Sequence, residues 1–284
     1  MRNASLLAFL FMASSVALAQ GIYTQIDYPG AGQTQAWGVD GAGDIVGLYV
    51  DSSSNEHGFL LSNGSYATIN YPNSYYTHPS GINDKGQIVG YTFPANAGFI
   101  YDVPSQAFTT FSDPKAQETE AYCINNEGVI GGGVVEGNFT NGFILADSTF
   151  RIVSPPGSGD YGFVVGVTGS GALIVETTSG ANYIPYLFSK NKYSKIPIPS
   201  ELATGLVQGV NPAGTAFVGY YSQPGGRAGY VFRDGKALIL QFPGSTYTMA
   251  FGINESGEVV GYFLDSASHV HGFMWTPPAP METK

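Results

Sequence analysis

Four histidines, His57, His78, His269 and His271, are the only imidazoles in the 284-residue chain, and any Ser-His-acid arrangement must draw its base from them. His57 and His271 head identical triplets, His57-Gly58-Phe59 and His271-Gly272-Phe273. As metal ligands they would need carboxylate or cysteine companions, and no such cluster completes a set around them in the sequence. The expectation is therefore neither metal nor cofactor. Among the acids, Glu118, Glu120 and Asp160 are the candidates for paired-carboxylate hydrolysis of a polysaccharide. That chemistry asks the two groups to converge at roughly 5 to 10 Å across a cleft, which alternate residues of one strand do poorly. The loop DSSSNE from Asp51 to Glu56 is polar but lacks the regular carboxylate spacing of a calcium loop. Gly169-Ser170-Gly171 opens no helix and so cradles no phosphate, and no nucleophile elbow occurs. What remains is a set of aromatic and acidic residues, Tyr75, Tyr76, His78, Glu118, Glu120, Asp160, Tyr161 and Tyr247. Aromatic faces supply apolar contact and carboxylates accept hydroxyl protons, so these residues point to a bound sugar or polar peptide.

Those residues are held by a repeat. Gly81 opens the segment GINDKGQIVGY, which recurs from Gly38, Cys123, Gly166, Gly209 and Gly252 at a period of 42 or 43 residues. A period of that length changes the fold assignment of the whole chain. A Gly-Phe or Gly-Tyr element follows in the same phase at Gly58, Gly98, Gly142, Gly229 and Gly272; the fourth copy has Tyr183 to Phe188 in its place. An apolar strand ending in proline closes the first five copies, as in Ile69-Asn70-Tyr71-Pro72. Each copy thus carries four short strand signals, the first two separated by a turn ending in a glycine such as Gly86, where a tight hairpin needs positive φ. Asp40, Asn83, Asn125, Asn211 and Asn254 lie just before those turns. Side chains of this type bond local backbone, so hairpin bonding is expected of them rather than a ring of ligands.

Four antiparallel strands in about 40 residues make one propeller blade. The expected fold is an all-β, six-bladed β-propeller over residues 20–275. The sixth copy stops after its third strand, at Trp275, and the missing strand stands near the start of the chain, where IYTQIDYP (Ile22 to Pro29) matches ATINYP at 67–72. Donating it to the last blade would close the ring and pair both open edges.

The Gly-Ile-Asn-x-x-Gly-x-Ile-Val-Gly-Tyr phrase followed by His-Gly-Phe resembles the HAF repeat of predicted extracellular bacterial proteins, over Ile22 to Trp275. That family implies a compartment and a repeat architecture and transfers no catalytic residue. Copy four departs furthest, with Thr168 in the Asn position.

Residues 1–19 read as a signal peptide, with Arg2, an apolar run from Leu6 to Leu18 and small residues before Gln20, so secretion is expected after cleavage near Ala19-Gln20. Residues 276–284 read as a disordered tail. A formal net charge of -10 disfavours nucleic acid and anionic membranes as partners. Lone Cys123 forms no internal disulfide. Loops leaving strand four and strand two vary between copies and emerge on one side, which is where a binding surface is expected. The resulting expectation is a monomeric, non-enzymatic propeller that binds an extracellular glycan or protein through that face. A polysaccharide hydrolase or lyase and a structural protein-interaction module are the alternatives.

Overall fold

The computed structural model describes residues 17–18, 20–155, 161–179, 182–202 and 204–278. The expected signal peptide over 1–19 falls almost wholly outside the described residues, as do Asp160 and the tail beyond residue 278. Among the described residues the chain is all-β apart from one short 3-10 turn, Ser200–Leu202.

Two short strands open the described chain, β1 (Ala17–Leu18) and β2 (Ile22–Ile26). Four-stranded antiparallel sheets in sequence order follow. Sheet one holds β3 (Gln33–Val39), β4 (Ile45–Val50), β5 (Glu56–Ser62) and β6 (Ser65–Ile69). Sheet two holds β7 (Tyr76–Ile82), β8 (Gln87–Phe93), β9 (Ala97–Asp102) and β10 (Ala107–Phe111). Sheet three is β11 (Glu118–Ile124), β12 (Ile130–Glu136), β13 (Phe139–Ala146) and β14 (Thr149–Val153). Sheet four is β15 (Gly162–Val167), β16 (Leu173–Ser179), β17 (Asn182–Ser189) and β18 (Lys192–Lys195).

Two further groups follow: β19 (Leu206–Val210), β20 (Ala216–Gln223), β21 (Gly226–Arg233) and β22 (Lys236–Leu240), then β23 (Tyr247–Ile253), β24 (Val259–Leu264) and β25 (Val270–Thr276). Strand β2 lies antiparallel to β25, pairing Ile22 with Thr276 and Ile26 with Gly272. A parallel pair between Arg227 and Tyr247 and the parallel strand β1 along β22 join these groups into one mixed, nine-stranded sheet. Each first strand packs on the next, β3 on β7, then β11, β15, β19 and β23, and β23 packs on β3.

Local chemistry explains the repeat. At Gly86, φ is +73°, and the turn closes when its amide bonds the Asn83 carbonyl at 3.0 Å. Oδ1 of Asn83 accepts from the amides of Lys85 and Gln87, the hairpin role expected from sequence. The same side chains also reach outward. Nδ2 of Asn83 donates to the Asn125 carbonyl at 2.9 Å, and that of Asn125 to the Thr168 carbonyl at 3.0 Å, so each fastens its turn to the neighbouring sheet. A second repeated device is a buried threonine near the start of the first strand. Thr34, Thr77, Thr119 and Thr248 accept through Oγ1 from the amides of Tyr28, Tyr71, Asp113 and Phe242, tying each incoming loop down.

The core lies between sheets. Val46, Leu60 and Ile69 of sheet one bury against Ile82, Ile88 and Phe99 of sheet two. Phe59, Phe99, Phe143, Tyr230 and Phe273 of the Gly-Phe element are fully buried. They lie under the glycine of strand two: a Cβ at Gly90 would come to 2.8 Å from Phe99 Cζ and would strike the His78 carbonyl. Sheet four resolves the same conflict differently. Val175 fills the glycine position, fully buried, and its register partner Tyr186 moves to a half-buried place. The divergent fourth copy therefore still forms all four strands.

Candidate functional site

The first strand of every sheet carries a bulge just before its shared glycine or, in sheet three, Cys123. The register breaks between Ala36 and Gly38, Pro79 and Gly81, Ala121 and Cys123, Val164 and Gly166, Val207 and Gly209, and Ala250 and Gly252. The residue inside each bulge is released from the ladder, and bulges of this kind re-aim a side chain. Here all of them, Trp37, Ser80, Tyr122, Val165, Gln208 and Phe251, line one cavity of about 350 Å³. The shared glycines let neighbouring first strands come this close: a Cβ at Gly81 would lie 3.2 Å from the Cys123 backbone. Val39, Ile82, Ile124, Val167, Val210 and Ile253 form the apolar end of the cavity next to the asparagine turns.

The walls are aromatic. Trp37 packs on Phe251 at 4.2 Å between ring centroids and edge-on to His78 at 4.6 Å; His78 stacks on Tyr91 at 4.6 Å. Tyr122 lies beside Phe163. Among the described residues, three buried polar atoms on these walls have no hydrogen-bond partner: Trp37 Nε1, His78 Nε2 and Glu176 Oε1. Glu176 is 1% exposed, and its other oxygen accepts only a 3.3 Å bond from the Val207 amide. Burial pushes the Glu176 carboxyl up to about 8 and the His78 imidazole down to about 3, because each charged form would lose its hydration. Both side chains are therefore neutral over most of the physiological range. Burial also pushes the Cys123 thiol up to about 12, so this lining residue is a weak nucleophile.

Glu176 arises where the fourth copy departs from the others. Its phase in strand two is tyrosine at Tyr91, Tyr220 and Tyr262, and its register partner Pro185 stands where other copies have the glycine of the Gly-Phe element.

The residues singled out from sequence divide. His78 lies in the cavity, inside β7 rather than in a loop. Tyr76, Glu118 and Glu120 gather with Tyr91 around a space of about 10 Å³, room for roughly one water. There burial raises the Glu120 carboxyl, and Tyr122 Oη donates to its Oε2. Tyr75 is 72% exposed beside Phe93, and Tyr161 is 48% exposed. Tyr247 stands apart from the Glu118 group, with the Arg227 guanidinium 5.2 Å from its ring and 5.2 Å from that of Tyr220. Asp160 lies outside the described residues. The loops do share one end of the sheets, since the Tyr75 amide bonds the Phe93 carbonyl and the Gln117 amide the Val135 carbonyl. The bulge residues and Glu176 were missed. Their signal was variation at fixed phases of the repeat, just ahead of the shared phrase for the bulge residues and at its last position for Glu176.

One expectation is corrected. A carboxylate does accompany His271: the turn after β24 brings Asp265 back so that ligand atoms of Asp265, His269 and His271 all lie within 4.8 Å of one another. The three residues lie within seven positions of one another, and what the sequence did not show is the tight turn that folds Asp265 onto the two histidines.

No protein-family model and no curated protein matches the chain. Solved structures do. A gluconolactonase from Xanthomonas campestris superposes with a TM-score of 0.55 at 12% identity, covering 95% of this chain and 99% of that one. A virginiamycin B lyase from Staphylococcus aureus, solved with quinupristin, gives 0.53 at 13%, covering 93% and 90%. The Aleuria aurantia lectin, solved with Fucα1-6GlcNAc, gives 0.53 at 10%, covering 89% and 98%. Likeness at these identities shows the fold alone, and that fold is of the β-propeller type.

Proposed function

We propose that the chain is a six-bladed β-propeller, closed by β2 on the last blade and exported after cleavage near Ala19-Gln20, that binds a small neutral, hydroxylated ligand of monosaccharide size in its axial channel. The packing of β23 on β3 and the pairing of β2 with β25 support the closed ring. The three-part N-terminal pattern and the resemblance to the HAF repeat support export.

One observation carries the binding role: three unpartnered buried polar atoms converge on one aromatic-walled cavity. A buried polar group without a partner costs about 1–3 kcal/mol, and a ligand that supplies the partners recovers it. A sugar ring fits this chemistry. Its C–H face lies on an aromatic ring, its hydroxyls accept from Trp37 Nε1, and they donate to His78 Nε2 or Glu176 Oε1. Being neutral, it leaves the protonated Glu176 carboxyl unionised. The volume is at the lower end of the range for small-ligand pockets, about 300–1,000 Å³.

The test is calorimetric titration of the full chain with a panel of mono- and disaccharides, alongside Gln208→Trp, which fills the channel, and the double variant Tyr75→Ala, Tyr76→Ala. Binding lost in the first and kept in the second is expected. The reverse pattern would move the site to the loop face, and no binding to any saccharide would overturn the reading.

A hydrolase or lyase acting in the same cavity is favoured by one further observation, a Glu176 carboxyl that burial keeps protonated near neutral pH on the cavity wall, where it can serve as a general acid. The names of two similar structures, a gluconolactonase and a virginiamycin B lyase, fit that alternative. Sugar-lactone turnover in a pH-stat decides it: Glu176→Gln would keep binding and lose turnover.

A further inference from the structure

His57 and His271 occupy the same position in two copies of the repeat, and the groups around them differ. In sheet one, Asp51 Oδ1 accepts from the amides of Ser53 and Asn55. Its Oδ2 meets Asn55 Nδ2 at 2.9 Å and His57 Nε2 at 3.2 Å, while His57 Nδ1 faces Asn70 Oδ1 at 3.2 Å. The last copy repeats this framework. Asp265 Oδ1 accepts from the amides of Ala267 and His269 at 2.8 Å each. Its Oδ2 lies 3.1 Å from His269 Nδ1 and 3.5 Å from His271 Nε2, and His271 Nδ1 lies 2.8 Å from Asp27 Oδ1. His269 thus stands where sheet one has Asn55, and Asp27 where it has Asn70.

We propose that Asp265, His269 and His271 form a site for a divalent transition metal, Zn²⁺ foremost, with Asp265 Oδ2, His269 Nδ1 and His271 Nε2 as ligands. Two of the three spacings match, and the third lies within 4.8 Å. Donors at ordinary Zn²⁺ distances in a tetrahedron stand about 3.3 Å apart, and the two Asp265 edges are 3.1 and 3.5 Å. The longer of these is poor for a hydrogen bond and suitable for a shared ion.

The surrounding groups agree. A metal-bound histidine commonly donates its other ring nitrogen to a carboxylate, which fixes the tautomer and raises basicity. Asp27 is placed to accept from His271 Nδ1, and Gln25 Nε2 holds Asp27 Oδ2 at 2.7 Å. The His271 ring is further fixed by stacking on Phe263. Two imidazoles and one carboxylate select borderline metals over Ca²⁺ or Mg²⁺. The His269 side chain is 66% exposed, so the ion enters from solvent, and a fourth position stays open for water. Because Asp27 directly follows β2, the ion would also brace the pairing of that strand with β25.

The sheet-one cluster is a built-in control, since an Asn55 side chain in place of imidazole leaves one histidine and one carboxylate. The experiment is Co²⁺ titration of the full chain, read by d–d absorption, with Zn²⁺ displacement followed by calorimetry. Saturation near one equivalent with a tetrahedral spectrum is expected, reversed by Zn²⁺ and unaffected by millimolar Ca²⁺. His269→Asn copies a turn the fold already accepts, and circular dichroism confirms its folding; it should abolish the spectrum. Asp27→Asn should weaken binding by about 10- to 100-fold. Absence of saturable binding, or a spectrum unchanged in His269→Asn, would overturn the proposal.

Discussion

Nδ2 of Asn254 donates a 2.9 Å hydrogen bond to the backbone carbonyl of Asp40, joining residues 214 positions apart. Oδ1 of the same side chain accepts from Ser256 Oγ and from the Glu258 amide, so one amide group secures both its own turn and the contact of the last repeat with the first. Asn83 makes the equivalent bonds between repeats that adjoin in sequence.

Replacing either asparagine with alanine should cost about 1–3 kcal/mol, the penalty for leaving buried backbone groups unpaired. The two variants should differ in where the loss is felt. Asn254→Ala opens a junction that no chain connection backs up, so amide exchange in β2 and β25 should quicken by hydrogen exchange measured on the native protein. Asn83→Ala should leave those amides protected. Equal exchange in both variants would mean that the β2 pairing alone holds the junction.

The buried neutral pair predicts a stability maximum in mild acid. The Glu176 carboxyl rises from 4.5 to about 8 on folding, so between those values the folded state carries the extra proton and stability falls as pH rises. His78 falls from 6.5 to about 3, so between those values the unfolded state carries the extra proton and stability rises with pH. The two effects oppose from pH 4.5 to 6.5, leaving a climb below that window and a decline above it, up to about 1.4 kcal/mol per pH unit. Burial raises the Asp40 and Glu120 carboxyls as well, which adds to the declining sense at lower pH. Urea unfolding at a series of pH values from 3.5 to 8.5 measures this. Glu176→Gln should remove the decline between pH 6.5 and 8, and a decline of the same size in that variant would place its source elsewhere.

Much of the fold was legible because the repeat imposes the same physical demand at every copy. Asn83 and its equivalents had to bond a turn, Gly86 had to take positive φ, and Phe99 had to bury. The match of Ile22–Ile26 to the missing strand of the last copy anticipated the β2–β25 pairing, since an unpaired edge is a liability at both ends. The cavity was less legible for a definite reason. Trp37, Ser80, Tyr122, Val165, Gln208 and Phe251 sit one residue before the shared glycine or Cys123, just ahead of the repeated phrase and within a strand, away from the variable loops. Strand periodicity would have placed them on the far face from that next residue, but the bulge that aims them inward has no signature in a single copy. Glu176 was hidden differently. It lies in the copy that departs most, where loss of the Gly-Phe element looked like decay, and only the register of Glu176 with Pro185 shows that the whole position was rebuilt.

That rebuilding makes a prediction about packing. At Gly90 a side chain meets two obstacles, the His78 carbonyl and the Phe99 ring, whereas at the same phase of sheet four Val175 is accommodated with Tyr186 displaced outward. Gly90→Val alone should therefore destabilise by about 3 kcal/mol, the upper range for overpacking, and Phe99→Ala alone by about 3–5 kcal/mol through the cavity it leaves. Combined, they should cost less than their sum, because the valine methyl groups occupy space the ring has vacated; residues in contact couple by about 0.5–3 kcal/mol. Urea midpoints of the four proteins give the coupling directly. Additive costs would show that the carbonyl of His78, not the aromatic ring, is what demands glycine in strand two, and that the displacement of Tyr186 in sheet four is unrelated to Val175.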